Sequence, residues 1–347
     1  MTRSDVVGAA ADASPRPTGL RPVMAVIPSH CYDRSTARGL GILARDLILY
    51  GAALVGLVLF DGVIVTIALW LVAGLAVAAL FVVGHDAAHV ALFDSVRLNA
   101  AVGRIAMLPS FHATELWIFG HNRVHHGHTL RQGMDFVWHP LTTEEYRAMG
   151  RLGRLRHRFE WGPFGAGAYY LREVWWNKMV RFTPPSRSRR AMRRDQLLVA
   201  GFVVGTLTVA VLAGGAGGIW MWVRLIVVPF LIFCHLIGWV VHVHHISPDI
   251  RWWPRREWNR FRGQVEGTTV LWGPPGWELF FHWIMVHLPH HVDMRIPCYR
   301  LPEAASAIAE AYPDEVIQRR ISLGDYLRST RACKLHDFEN GTWHRYP

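Results

Sequence analysis

Two long stretches almost free of basic side chains decide what this chain can fold into. From Asp46 to Asp86 there is no Lys or Arg, and apart from Asp61, His85 and Asp86 the residues are mostly Leu, Val, Ala, Ile, Gly and Phe. Broken at Asp61-Gly62, the stretch gives two runs, 42–60 and 63–84, each near the ~20 residues that carry a helix across ~30 Å of hydrocarbon. Between Gln196 and Ile246 the only basic residue is Arg224, and the Gly-rich segment 214–218 divides that stretch into runs 197–212 and 219–243. The expectation is an all-α membrane protein with four transmembrane helices in two hairpins.

The charges lie elsewhere. Only 18% of the residues are charged, against about 25% in soluble proteins, yet the formal net charge is +11. Such a balance raises nucleic acid as a partner. All but one of the 37 Lys and Arg fall outside the two apolar stretches, however, and both short hairpin turns carry none. The positive-inside rule therefore puts the N-terminal, central and C-terminal segments together on the cytoplasmic side, as a helical cap. The run Arg181, Arg187, Arg189, Arg190, Arg193 and Arg194 stands just before the third span, where it suits anionic lipid, and nucleic acid is set aside. Residues 1–24 have no apolar run that a cleaved signal would need and read as a disordered cytoplasmic leader. Residues 25–347 read as a single domain. Cys31, Cys234, Cys298 and Cys333 include no CxxC, which argues against a disulfide framework or a cysteine-held metal.

The 20 histidines are grouped. His85 and His89 form HxxxH as the second span ends; His121, His125 and His126 form HNRVHH; His242, His244 and His245 close the fourth span; His287, His290 and His291 form HLPHH. Spacings of three and four stack imidazoles on one helix face, where they can share a metal. One HxxxH arises easily by chance, whereas three such motifs with a further cluster at a span end do not. His30, His112, His139, His157, His336 and His344 read as exposed or interfacial, while His128, His235 and His282 stay open as neighbours of ligands. Eight or nine imidazoles exceed what one ion uses, so two ions are expected. Imidazole suits iron, zinc, copper and nickel alike. A haem needs axial histidines facing each other from within spans, and zinc hydrolysis needs only three ligands and a water.

With those motifs in place, the chain resembles the membrane fatty acid desaturases, within the larger group of histidine-box di-iron membrane oxygenases. The resemblance runs over roughly residues 25–310. IPSHCYDRSTARGLGILARDL (27–47) is similar to the segment leading into the first span of delta-12 and omega-3 type desaturases, and GHDAAHVALFDSVRLNAAVG (84–103) to the first box. HNRVHHGHTLRQGMDFVWHPLTTEEYRA resembles the second box with its trailing Asp. HVHHISPDIRWWPRREWNRFRGQVEGTTV and FFHWIMVHLPHHVDMRIPCYRLPEA resemble the bacterial branch.

This resemblance implies ligation of two iron ions by His85, His89, His121, His125, His126, His287, His290 and His291, with His245 as a ninth ligand. It implies O₂ as co-substrate and insertion of a double bond into a fatty acyl chain borne by a lipid, CoA, a carrier protein or a free acid. A bacterial inner or plasma membrane location fits. Two departures stand out: the second box is HxxxHH where HxxHH is common, which resembles the alkane hydroxylase branch, and Trp283 stands where some desaturases carry Asn. Hydroxylation, ketolation or terminal-alkene formation on the same scaffold is the alternative, and a non-catalytic membrane metal-binding or transport protein the remoter one. Neutral ligands leave metal charge uncompensated, so Asp86, Asp135, Asp249 and Asp293 are expected to accept from ring N–H groups. Tyr169, Tyr170, Trp175 and Trp176 are expected at headgroup depth. No dinucleotide or iron–sulfur motif is present, so electrons come from a ferredoxin, a rubredoxin or a small cytochrome. Arg251, Arg255 and Arg256 are candidates to meet such a donor.

Overall fold

In the computed structural model, which describes residues 16–347, both apolar stretches form long helices; the first three outrun their sequence-derived spans by about one to two turns at one end, and the fourth by two residues at each end. The first, α1 (Thr36–Leu59), starts where the Ser35 hydroxyl accepts the Arg38 N–H at 3.2 Å, an N-cap. The second, α2 (Val63–Ala88), follows after only Phe60, Asp61 and Gly62. The third and fourth, α3 (Arg189–Gly214) and α4 (Gly217–His245), are separated by Gly215, whose φ of 56° a side chain would resist. All four are long and apolar enough to cross a membrane. The two charges that interrupt the apolar stretches satisfy each other: Arg224 Nη1 donates to Asp61 at 2.7 Å and Nη2 to Thr66 Oγ1 at 3.0 Å.

Helix α2 is the centre of the packing. From Ala76 to Ala88 every residue is buried, and at Gly74 an added Cβ would collide with Ile232 of α4, so the two helices meet at backbone distance. Helix α3 differs, since its buried residues are only Met192 and Asp195 near its start. There Asp195 accepts from Arg104 Nε at 2.9 Å and from the Glu115 N–H at 3.1 Å.

Short helices and loops between α2 and α3, and after α4, cover the ends of the long helices. Two small sheets depart from the all-helical expectation. Strand β1 (Thr269–Trp272) pairs in parallel with β2 (Ile317–Arg320), and β3 (Leu335–Asp337) pairs antiparallel with β4 (Thr342–His344). Neither segment follows a long enough alternation for its strand to be legible in the sequence. Of the expected leader, residues 1–15 lie outside the described residues. Arg21–Ala25 form a helical turn with Val23 fully buried, so the ordered chain begins before residue 25.

Candidate metal centre

The end of α2 delivers His85 and His89 into the interior, one turn apart. The first two histidines of the second box do not lie on an α-helix. Residues Ile118–His125 form a π-helix, and the His126 N–H donates to the His121 carbonyl five residues back. That wider turn absorbs the extra residue of HxxxHH, bringing Nε2 of His121 and His126 within 3.1 Å and turning His125 another way. The third box sits on the short helix His287–Val292, and His245 is the last residue of α4.

The result is two sets of buried imidazoles. His85, His89, His121, His126 and His290 have nitrogens all within 4.8 Å of one another, and so do His125, His245, His287 and His291. The expectation that each box is one ligand face is thereby corrected: His125 and His126 face different sets, as do His290 and His291. Nε2 atoms approach at 2.8 Å (His85 to His121) and 3.0 Å (His287 to His291). Two nitrogens each ~2.1 Å from a shared ion would stand about 3 Å apart at right angles.

Both nitrogens of His89, Nδ1 of His126 and His287, and Nε2 of His245 and His290 are buried with no hydrogen-bond partner. Leaving such atoms unsatisfied costs about 1–3 kcal/mol each. Burial, then neighbouring imidazoles, push His121, His126, His287, His290 and His291 well below the ordinary histidine pKa, so their rings are neutral with free lone pairs. Neutral, convergent, unpartnered imidazoles are a donor set that fits two metal ions.

The partners of the rings decide which nitrogen carries hydrogen. His125 Nδ1–H donates to Asp135 at 3.0 Å, and the same carboxylate accepts from the N–H groups of Leu130 and Val137. Asp86 lies 3.4 Å from His85 Nδ1 and accepts the Cys298 N–H at 2.7 Å. His291 Nδ1–H donates to Gln264 Oε1 at 2.6 Å, and His245 Nδ1–H to the Gly267 carbonyl at 3.1 Å. In each case the opposite nitrogen is left to face the set. Gln264 and Gly267 were missed in the sequence, where nothing marks them.

Asp249 and Asp293 do not take the role expected of them. Asp249 pairs with Arg319 and Ser247 at a half-exposed site, and Asp293 is held by Arg295 at 2.6 Å. Among the histidines read as exposed, His30 and His344 are, while His112, His157 and His336 are buried. Of the open cases, His282 is buried against Asp46 at 2.6 Å, in a turn where it and Trp283 both have positive φ, five residues before His287. His235 is exposed on α4, and His128 packs against Trp258. His244 donates to or accepts from Thr269 Oγ1 and joins neither set, and His242 packs edge-on against Trp138.

An apolar cavity runs along His85, His121, His125 and His287, walled by Phe81, Trp117, Trp138, Tyr170, Val241 and Ile284. Tyr169 and Tyr170 are buried in the protein rather than exposed to lipid headgroups, and Tyr170 lines this cavity; its hydroxyl meets His112 Nε2 at 3.1 Å. Trp176 remains exposed.

Residues 62–322, three quarters of the chain, match the sequence profile described as fatty acid desaturase. The chain belongs to the fatty acid desaturase family. A Synechocystis sn-1 oleoyl-lipid 12-desaturase is 26% identical over 93% of this chain and 90% of its own length. An endoplasmic reticulum omega-3 fatty acid desaturase of Vigna radiata is 30% identical over 85% of this chain and 78% of its own. A Nostoc protein named sn-1 acyl-lipid omega-3 desaturase (ferredoxin) is 27% identical over 86% and 82%.

Proposed function

We propose that this chain is an O₂-dependent di-iron membrane desaturase that introduces a double bond into a fatty acyl chain. The observation that carries the reading is the apolar cavity, because its wall includes imidazoles of both sets and a methylene lying in it would touch both. The family and the relatives' names support the acyl substrate, and one relative's name supports a ferredoxin as donor. The ligands proposed are His85, His89, His121, His126 and His290 for one iron and His125, His245, His287 and His291 for the other. Four spans in two hairpins, a cytoplasmic cap bearing the site, and one domain from about residue 25 complete the reading. The longer second box gives no separate support to hydroxylation, since the π-turn takes up its extra residue.

Iron bound there supplies the O₂-derived oxidant that an unactivated methylene requires and that no side chain provides. Overall, two hydrogens leave adjacent methylenes and, with O₂, two electrons and two protons, give the alkene and two waters. The protein's own contribution is placement. Asp135, Asp86, Gln264 and the Gly267 carbonyl hold ring N–H groups and so fix the tautomers of His125, His85, His291 and His245. Phe81, Trp117 and Trp138 wall the cavity beside the imidazoles and keep water from the reacting carbons.

The test is gas chromatography with mass spectrometry of lipids from cells expressing the chain, His290→Ala or His344→Ala. A product two mass units below a host fatty acid is expected with the parent and His344→Ala only. A product sixteen units heavier would move the assignment to hydroxylation, and product surviving in His290→Ala would overturn the site.

A further inference from the structure

The two imidazole sets approach the outside of the protein by two different routes. His85, His121, His125 and His287 border the apolar cavity. His126 and His291 instead form the floor of a surface depression walled by Leu20, Arg21, Met24, Arg260, Met294 and Arg295. These two rings come from different sets, and they stack on each other with centroids 4.3 Å apart and planes 25° from parallel. The Nδ1 of His126 is buried there without a partner. A redox group resting in the depression would be separated from both sets by about the thickness of one ring.

The rim is basic. Arg21 and Arg260 are exposed and form no ion pair with the described residues. The acid in the wall, Asp293, is buried and matched by Arg295. Met24 and Met294 add adaptable apolar surface between the charges. The other basic patches lack this combination. Arg251 pairs with Glu257 at 3.0 Å and Arg256 with Glu339, so two of the three arginines singled out in the sequence spend their charge internally, and Arg255, which reaches only the Gln132 carbonyl, lines neither the depression nor the cavity. The exposed arginines at the start of α3 line neither the depression nor the cavity and stand at a span end, where lipid headgroups meet them.

We propose that this depression is the docking surface for an acidic, soluble electron-transfer protein, and that electrons enter both sets through the stacked His126 and His291 rings. The inference rests on the reading above that reducing equivalents come from a separate protein, and it deepens that reading by naming the face. Charge complementarity at a rim speeds encounter and makes it salt-dependent.

The experiment measures association of the full chain, in nanodiscs of zwitterionic lipid, with an acidic [2Fe–2S] ferredoxin and, separately, an acidic rubredoxin. Arg21→Glu/Arg260→Glu is compared with the parent and with Arg187→Glu/Arg190→Glu. The rim variant should associate about tenfold more slowly at low salt and lose most of its salt dependence, while the second variant matches the parent. Arg21→Gln/Arg260→Gln, which is gentler on folding, should fall between them. Association of both rim variants within about twofold of the parent, an equal loss in the α3 variant, or no salt-dependent association of the parent with either probe would overturn the proposal. Salt-dependent docking at this rim without any desaturated product would refute the desaturase reading alone. Product formed by the parent with docking insensitive to the rim would refute the docking surface alone.

Discussion

Asp135 offers the sharpest test of how the imidazoles are held. Its carboxylate is 2% exposed and accepts three hydrogen bonds, from His125 Nδ1 at 3.0 Å, Leu130 N at 3.1 Å and Val137 N at 3.0 Å. In Asp135→Asn the shape is kept, but one oxygen becomes an amide that can only donate. Three donors then compete for one acceptor, and at least one N–H faces another donor. Losing a partner to a buried group costs about 1–3 kcal/mol, and losing the residue that orients a metal-ligating histidine typically costs about 10–100-fold in metal affinity. Iron affinity, measured by chelator competition with metal analysis of the purified protein, should therefore fall by about one to two orders of magnitude. Asp249→Asn is the control, because Asp249 bonds Arg319 and Ser247 and touches no ring. Parent-like iron affinity in Asp135→Asn, or an equal loss in Asp249→Asn, would refute the reasoning.

Val241→Phe places a ring in the apolar cavity without touching a metal-facing nitrogen, so product should drop at least tenfold while iron content stays at the parental level; a parallel loss of iron would show that the substitution disturbs the site instead. His157 gives a pH prediction. Burial, then Lys334, Arg172 and Arg156, lower its pKa from 6.5 to about 4, and its ring meets the Tyr346 hydroxyl at 2.8 Å. Because the folded-state value is the lower one, the unfolded chain takes the proton first, and stability present above pH 6.5 is lost as pH falls toward 4. At pH 5 the loss is about 2 kcal/mol, enough to release the C-terminal segment locally. Hydrogen exchange over residues 334–346 should accelerate from pH 7 to pH 5 in the parent and much less in His157→Gln; equal acceleration in both would refute it.

The long helices were legible because each needs only a run of apolar residues, and a run is local information. The boxes were legible for the same reason, since His85 with His89 and His287 with His291 lie one helical turn apart. The division of the boxes was hidden, because it depends on a π-turn that no local spacing announces and on which neighbour His125 and His290 meet across the fold. The acidic partners were half visible. Asp86 and Asp135 lie close in sequence to the rings they hold, whereas Asp249 and Asp293 lie equally near a box but are captured by Arg319 and Arg295. Gln264 carries no formal charge and stands 27 residues from His291, so only the folded chain reveals that it holds that ring. Tyr170 was misjudged because an aromatic beside an amphipathic segment looks the same whether it meets lipid or lines a cavity.

The splitting of neighbouring histidines between the two sets makes the pair of sites mechanically one object. His125 and His126 share a peptide bond, as do His290 and His291, and each partner serves a different set. A backbone shift that re-aims a ring of one set re-aims a ring of the other as well. Filling the first set therefore removes conformational freedom that the second would otherwise have to remove for itself, which favours loading as a pair over a population of half-filled molecules.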